Sequence, residues 1–176
     1  ISRSLGADTP FIRSGNLSKD HILSKDALRD AILRSEKFYN KKFDIIAELP
    51  CTSPLRSAQH ISESMDTMVK NYDSCDSVVS LKRVNHFHPS KIKKIVDNKI
   101  LDLCTHFEEK QIGRRQDTPI FFARNGAIFI MKRECIIDKG NRVGEASIPY
   151  IMDERSSINI DSTFDLAVAR VFLEGL

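Results

Sequence analysis

Leu49-Pro50-Cys51-Thr52-Ser53-Pro54-Leu55-Arg56 follows the apolar run Phe43-Asp44-Ile45-Ile46-Ala47-Glu48 and precedes a segment with helical spacing. A β-branched and aliphatic run that stops at a Thr/Ser/Pro turn and restarts with a helical period reads as strand, loop and helix of an α/β sheet. Apolar on both faces, the strand at residues 43–49 reads as a central parallel strand covered by helices. Ligands of such sheets bind beyond the carboxyl ends of the strands, so residues 52–56 are the first place to look for a site.

Outward from this loop the same alternation repeats. Ala27, Leu28, Ala31, Ile32 and Ser35 recur at three- and four-residue spacings and predict an amphipathic helix over Ser24–Tyr39, with Ser24 as its N-cap. Ile61, Met65, Met68 and Val69 place a second helix at about residues 57–72, with the two methionines as core filler. The next strand is Asp76-Ser77-Val78-Val79-Ser80-Leu81, and a short hairpin is expected at 95–103 around Asn98-Lys99. A strand pair is expected at 120–124 and 126–132, where Gly126 permits a bulge or a close backbone approach and Asn125 can bond a ligand or its own turn. Ser162 and Asp165 sit at capping spacing ahead of a final amphipathic helix. Residues 1–16 read as a loop, and 108–113 as a polar segment.

A chain of 176 residues fits one domain large enough to bury a core. Apolar content of 41% and charged content of 29% are those of an ordinary globular protein. The longest apolar run, Ala127-Ile128-Phe129-Ile130-Met131, is far short of the roughly 20 residues that span a bilayer, so no membrane association is expected. Cys51, Cys75, Cys104 and Cys135 are scattered without a C-x-x-C pair and read as reduced thiols of a cytoplasmic protein. A net charge of +3 does not imply nucleic acid, and the basic cluster Lys91-Ile92-Lys93-Lys94 lacks the aromatic interleaving that base stacking needs. His86 and His88 offer two imidazoles to one side of an extended chain, but no third ligand stands nearby. In the stretch Ser157-Ile158-Asn159-Ile160-Asp161, Asn159 and Asp161 fall on one face of an extended segment and can present oxygens to one hard cation.

The octet resembles the "L-x-P-T-S-P-L-R" loop of the sugar-acid cytidylyltransferases, the CMP-sialic acid synthetase family. Pro10-Phe11-Ile12-Arg13 with Leu17-Ser18-Lys19-Asp20 is similar to that family's "P-F-x-R-P-x-x-L-A-x-D", and residues 76–81 to its "D-S-V-V-S-V". His88-Pro89-Ser90-Lys91 is similar to "H-P-x-K", Arg114-Arg115-Gln116-Asp117-Thr118-Pro119 to "R-R-Q-x-x-P", and Asn125-Gly126-Ala127-Ile128-Phe129 to "N-G-A-I-Y". Residues 159–165 correspond to "D-I-D-T-x-x-D", with Asn159 in place of the first acid.

The resemblance implies a Rossmann-like α/β nucleotidyltransferase fold with a mostly parallel sheet and a dimerisation extension. The implied reaction transfers CMP from CTP to a nine-carbon 2-keto sugar acid, of sialic or legionaminic type, with release of pyrophosphate and with Mg2+ as cofactor. It places Asp161 and Asn159 at the metal, Asp161 and Lys91 at the chemistry, Arg13 at the base and Arg115 at the sugar's carboxylate. Thr52, Ser53, Arg56, Gln116 and Asn125 then line the pocket. It also implies a homodimer through the segment after the "N-G-A-I-Y" strand, residues 135–148. Pro50-Cys51 stands where sialic acid enzymes often carry Gln before the proline, which leaves the choice of sugar open. The family opens with an "A-R-x-G-S-K-x-x-x-K-N" phosphate loop that does not precede Ile1, and a chain starting at Ile reads as a fragment or a processed product. The alternative expectation is an inactive remnant or interaction module of the same fold.

Overall fold

The computed structural model describes residues 1–84, 87–104 and 119–175. Four strands form the main sheet: β1 (Ile45–Glu48), β2 (Ser77–Arg83), β5 (Phe122–Lys132) and β6 (Ser147–Met152), in the order β1-β5-β2-β6. The pair β3 (Lys93–Val96) and β4 (Lys99–Asp102) makes a separate antiparallel hairpin. Among the described residues four α-helices accompany them: α1 (Ser24–Tyr39), α2 (Ala58–Lys70), α3 (Arg133–Ile137) and α4 (Thr163–Glu174). β5 runs antiparallel to β1, with Ile45 opposite Lys132 and Glu48 opposite Phe129. Its end meets the start of β2, where Lys132 N–H donates to the Asp76 carbonyl, and its start meets the end of β2, where Val84 N–H donates to the Phe121 carbonyl. β2 and β6 begin side by side, where Asp76 N–H donates to the Ala146 carbonyl, so they run parallel and the sheet is mixed, with β5 opposed to its two neighbours. The hairpin turns on Asp97 and Asn98, both at positive φ, the geometry of a two-residue turn whose twist matches the flanking strands.

The chain divides into two compact units. The first comprises residues 1–50, 58–79 and 128–149. Its core is apolar and dense: Ile32 of α1, Met68 of α2, Val78, the run Ala127-Ile128-Phe129-Ile130-Met131 as far as it belongs to this unit, and Cys135 and Ile136 of α3 are all buried. Close packing of such residues supplies most of the driving force for this half. α1 is anchored by a two-pronged ion pair in which Arg133 Nε and a terminal guanidinium nitrogen donate to the Glu36 carboxylate at 2.7 and 3.0 Å. The guanidinium fork holds the Glu36 carboxyl below its usual pKa. Burial raises the thiol pKa values of Cys75 and Cys135, which behave as core residues.

The second unit comprises residues 51–57, 80–127 and 150–176. α4 opens on a full capping box: Ser162 Oγ accepts from Asp165 N–H, and the Asp165 carboxylate accepts from Ser162 N–H at 2.8 Å. This is the role expected for the pair from spacing. His88 caps a single 3-10 turn, Pro89–Lys91, through Nδ1, which accepts from Ser90 N–H, and its ring meets Phe121 edge to face at 4.9 Å. That arrangement is structural, while His86 lies outside the described residues.

Several expectations are corrected. Residues 120–132 do not make two strands: β5 is continuous over Phe122–Lys132, with Gly126 inside it at φ +74. β1 is shorter than 43–49, stands at the end of the strand order and pairs antiparallel, so its two-sided apolar character reflects partial cover and not a central parallel position. α1 has Leu23 at its N-cap without a side-chain bond, and Ser24 is its first helical residue. Residues 1–16 contain a 3-10 turn at Arg3–Leu5 and reach a second at Gly15–Ser18.

Candidate functional site

The end of β5 before its glycine, the end of β2, and the chain from β6 into α4 enclose a cavity of about 560 Å3, all within the second unit. Its floor is built by Asn125, a residue 4% exposed. Asn125 Oδ1 accepts from Ser80 Oγ at 2.5 Å and from Ala127 N–H at 3.2 Å. Its Nδ2 donates to Ser157 Oγ at 2.9 Å and contacts Met152 Sδ at 3.3 Å. The amide thus ties β2, β5, the end of β6 and the following loop together, and both of its hydrogens are directed at protein atoms. The structure gives Asn125 the work of a strut beneath the cavity.

Ser157 begins the segment that carries the candidate ligands. Asn159 Nδ2 donates to Asp161 Oδ2 at 2.7 Å, whereas Asn159 Oδ1 is buried and has no hydrogen-bond partner among the described residues. An amide oxygen left in that state costs roughly 1–3 kcal/mol unless something in the cavity meets it. Gly126 lies directly against this side chain: a Cβ there would come 3.7 Å from Asn159 Oδ1, and the left-handed backbone at φ +74 disfavours any other residue. A carboxylate beside an unpartnered amide oxygen suits a hard cation, which takes its other ligands from water and from substrate oxygens. Among the described residues no group of three or more His, Cys, Asp or Glu gathers to hold a metal unaided.

Asp165 also lines the cavity, but it is committed to the cap. The Ser162 hydroxyl, then the backbone N–H groups of Asp161 and Ser162, and the charge of Lys82 hold its carboxyl below the usual range. Phe164 presents an aromatic ring at the same cavity and is 74% exposed.

The loop that opened the sequence argument braces this cavity from behind. Ser53, buried, donates to the Gly126 carbonyl at 3.4 Å, and Arg56 donates to the Ala127 carbonyl at 2.8 Å. Burial lowers the Arg56 pKa from its ordinary value. The Thr52 carbonyl accepts from Ile160 N–H at 2.8 Å, between Asn159 and Asp161. The loop therefore fixes the backbone on both sides of the unpartnered oxygen, through its main chain as much as through its side chains.

Asn125, Asn159 and Asp161 line the cavity, whereas Thr52, Ser53 and Arg56, expected there too, are not among its lining residues and reach it through bonds to the backbone of Ile160, Gly126 and Ala127. Lys91 ends the 3-10 turn, exposed, and is not among the cavity-lining residues. Arg13 belongs to the first unit, where it donates to Ser18 Oγ at 3.1 Å; the segment before it is held by Arg34, which stacks over Phe11 at 4.1 Å and donates to the Ile12 carbonyl. Arg115 and Gln116 lie outside the described residues. Sequence reasoning passed over Lys82 and Arg124, which stand in the lining. A charged residue on a strand ordinarily faces solvent, so neither position carries a local signal.

No protein-family model matches the chain. Ninety-nine per cent of it aligns with 72% of a post-translational flagellin modification protein B of Campylobacter coli at 27% identity. It is 26% identical to a CMP-N,N'-diacetyllegionaminic acid synthase of Campylobacter jejuni, over 98% of this chain and 71% of that protein. Against an N-acylneuraminate cytidylyltransferase of Escherichia coli it is 28% identical over 96% of the chain, which spans 38% of that relative. Among solved structures, a CMP:2-keto-3-deoxy-manno-octonic acid synthetase complexed with CTP superposes with a TM-score of 0.58 at 11% identity, covering 89% of this chain and 70% of the other. Nearly the whole chain is thus homologous to proteins named as cytidylyltransferases, and its fold is similar to that of the CMP:2-keto-3-deoxy-manno-octonic acid synthetase.

Proposed function

We propose that this chain forms the nucleotidyl-transfer centre of a cytidylyltransferase that moves CMP from CTP onto an acidic 2-keto sugar of the sialic or legionaminic type, with release of pyrophosphate. The observation that carries the reading is the buried, unpartnered Asn159 Oδ1 beside Asp161 in a cavity braced by the Thr52 to Arg56 loop. Relatives with this activity in their names, matched across nearly the full chain, support it.

In this reading Asp161 and Asn159 are the residues that would hold Mg2+. The ion, when bound, supplies positive charge to the α-phosphate and lowers the pKa of a nearby hydroxyl. The chain's own residues do the positioning. Asn125 keeps the Ser157 to Asp161 segment in register, Ser53 and Arg56 fix the β5 backbone, and Gly126 allows the main chain to lie close to the ligand oxygens. Phosphoryl transfer of this kind asks for little covalent chemistry from protein and much orientation and charge. The resemblance to the family assigns Arg13 to the base, and Arg115 with Lys91 to the sugar acid, and those assignments stand as part of the proposal.

Titration of the protein with CTP, with and without MgCl2, tests the reading. Saturable binding strengthened by magnesium, and lost selectively in its magnesium-dependent part on Asp161→Ala, is the expected result. CTP binding that is indifferent both to magnesium and to Asp161→Ala overturns it.

A further inference from the structure

Asn159, Asp161 and Asp165 line one cavity, and their oxygens are not equally free. Asp165 Oδ2 accepts from Asp161 N–H at 3.2 Å, from Ser162 N–H at 2.8 Å and from Ser162 Oγ at 2.7 Å, which commits that carboxylate to the cap. Asp161 Oδ2 accepts from Asn159 Nδ2 at 2.7 Å, so the amide already engages one of the two carboxylate oxygens. The same bond sets the amide's orientation and leaves Asn159 Oδ1 as the second candidate ligand, closed to water and without a hydrogen-bond partner among the described residues. Among those residues no group of three or more His, Cys, Asp or Glu gathers, so the pair offers a cation two side-chain groups and a single negative charge.

That is a poor site for a bare divalent ion. Mg2+ gives up its water reluctantly and is ordinarily held by one or two carboxylates together with the phosphate oxygens of a substrate. An ion that reaches Asn159 Oδ1 must shed water on that side, and the one carboxylate returns only half of its charge.

We infer that Asn159 makes the ion's binding conditional on a polyphosphate: the protein alone takes Mg2+ weakly, and the ion and the phosphate chain of the substrate enter as partners. The inference rests on the reading of Asn159 and Asp161 as the ion's residues, but not on which polyphosphate the protein uses. The neutral amide is the controlling feature, since a carboxylate at that position would complete the ion's charge from the protein itself. Coupling of this kind is reciprocal. The factor by which a polyphosphate tightens Mg2+ equals the factor by which Mg2+ tightens the polyphosphate.

The test is calorimetric titration of the protein with MgCl2 alone, with MgCl2 in the presence of pyrophosphate, and with MgCl2 in the presence of CTP, each corrected by a protein-free blank for the ion's binding to the phosphate. The parent should bind Mg2+ about tenfold or more tightly with a polyphosphate than without one. Asn159→Asp should bind Mg2+ with no phosphate present and bring that factor toward one. Asp161→Asn, which keeps the shape and removes the remaining charge, should abolish uptake of the ion under all three conditions. A parent that binds Mg2+ as tightly alone as with either phosphate overturns the inference, as does one that takes up the ion under none of the conditions. An Asn159→Asp variant whose Mg2+ binding depends on phosphate as strongly as the parent's overturns it too. Should pyrophosphate promote uptake of the ion while CTP neither binds nor promotes it, the inference stands and the cytidylyl-transfer reading falls.

Discussion

Replacing Asn125 by alanine should unsettle the second unit more than any exposed substitution near the cavity. The side chain is 4% exposed and holds four partners; Ser80, Ser157 and Ala127 among them are 1% exposed or less, and truncation takes from Ser157 and Ala127 the bonds to Asn125. A buried group that loses its partner costs about 1–3 kcal/mol, so these two bonds alone predict a loss of about 2–6 kcal/mol, before the small cavity left by the amide is counted. That is a large part of the roughly 5–15 kcal/mol that stabilises an ordinary domain. Urea unfolding followed by far-ultraviolet circular dichroism measures it, since the chain has no Trp to report by fluorescence. Asn125→Asp is the sharper partner experiment. It keeps the shape, and the Ser157 hydroxyl can turn to donate, so its penalty becomes that of a carboxylate in a nearly dry position. Desolvation raises the folded-state pKa of such a carboxyl. A carboxyl whose folded pKa exceeds its unfolded value of about 4 favours the folded state only while protonated. The variant should therefore approach the parent in acid and fall away as pH rises through the raised value. A variant Asn125→Ala within about 0.5 kcal/mol of the parent, or an Asn125→Asp profile that parallels the parent from pH 4 to pH 8, would refute the strut.

Two predictions concern the first unit. Arg133 holds the Glu36 carboxyl below its usual pKa, so the stability this pair contributes is complete above the unfolded value of about 4.3 and is lost as pH falls through the depressed folded value; Glu36→Gln should lower stability at pH 7 and flatten the acid limb of a midpoint-against-pH curve, and an unchanged limb would show that the pair is inert. Gly144 faces Asp76 so closely that an added Cβ would fall 2.0 Å from its carboxylate, which itself accepts from Ala146 N–H; Gly144→Ala should cost about 1–3 kcal/mol as an overpacking substitution, read as a lowered melting temperature, and a neutral result would mean that Asp76 moves freely.

Local signals in the chain carried as far as their range allowed. The periodicity at residues 24–39 marked α1 to its ends, and Ser162 with Asp165 announced the α4 cap, because helical spacing and capping are settled within one or two turns. Asn98-Lys99 marked the hairpin for the same reason. What the sequence left ambiguous depends on partners far along the chain. β1 looked central because two-sided apolarity does not distinguish a buried strand from one covered in part. β5 looked like two strands because Gly126 reads as a break, while in the structure one strand continues through its left-handed backbone.

The candidate site divides along the same line. Asn159 and Asp161 were legible as a same-face pair two residues apart, and the geometry adds the element that the pattern lacked, an amide oxygen with nothing bonded to it. Asn125 was nominated as a pocket residue, yet its partners lie up to 45 residues away, and only their convergence turns it from a ligand contact into a strut. Lys82 and Arg124 gave no local signal at all, since a charge on a strand is ordinarily a solvated one. Their place in the cavity lining follows from the adjacency of β2 and β5, which no window of sequence contains. Asn159 and Asp161 offer the cavity one carboxylate and one neutral, unpartnered amide oxygen. Asn159→Asp should therefore strengthen Mg2+ binding, read by calorimetric titration with MgCl2, because a second carboxylate adds charge where a hard cation takes oxygen ligands, and a variant that binds the ion no more tightly than the parent would refute the pairing.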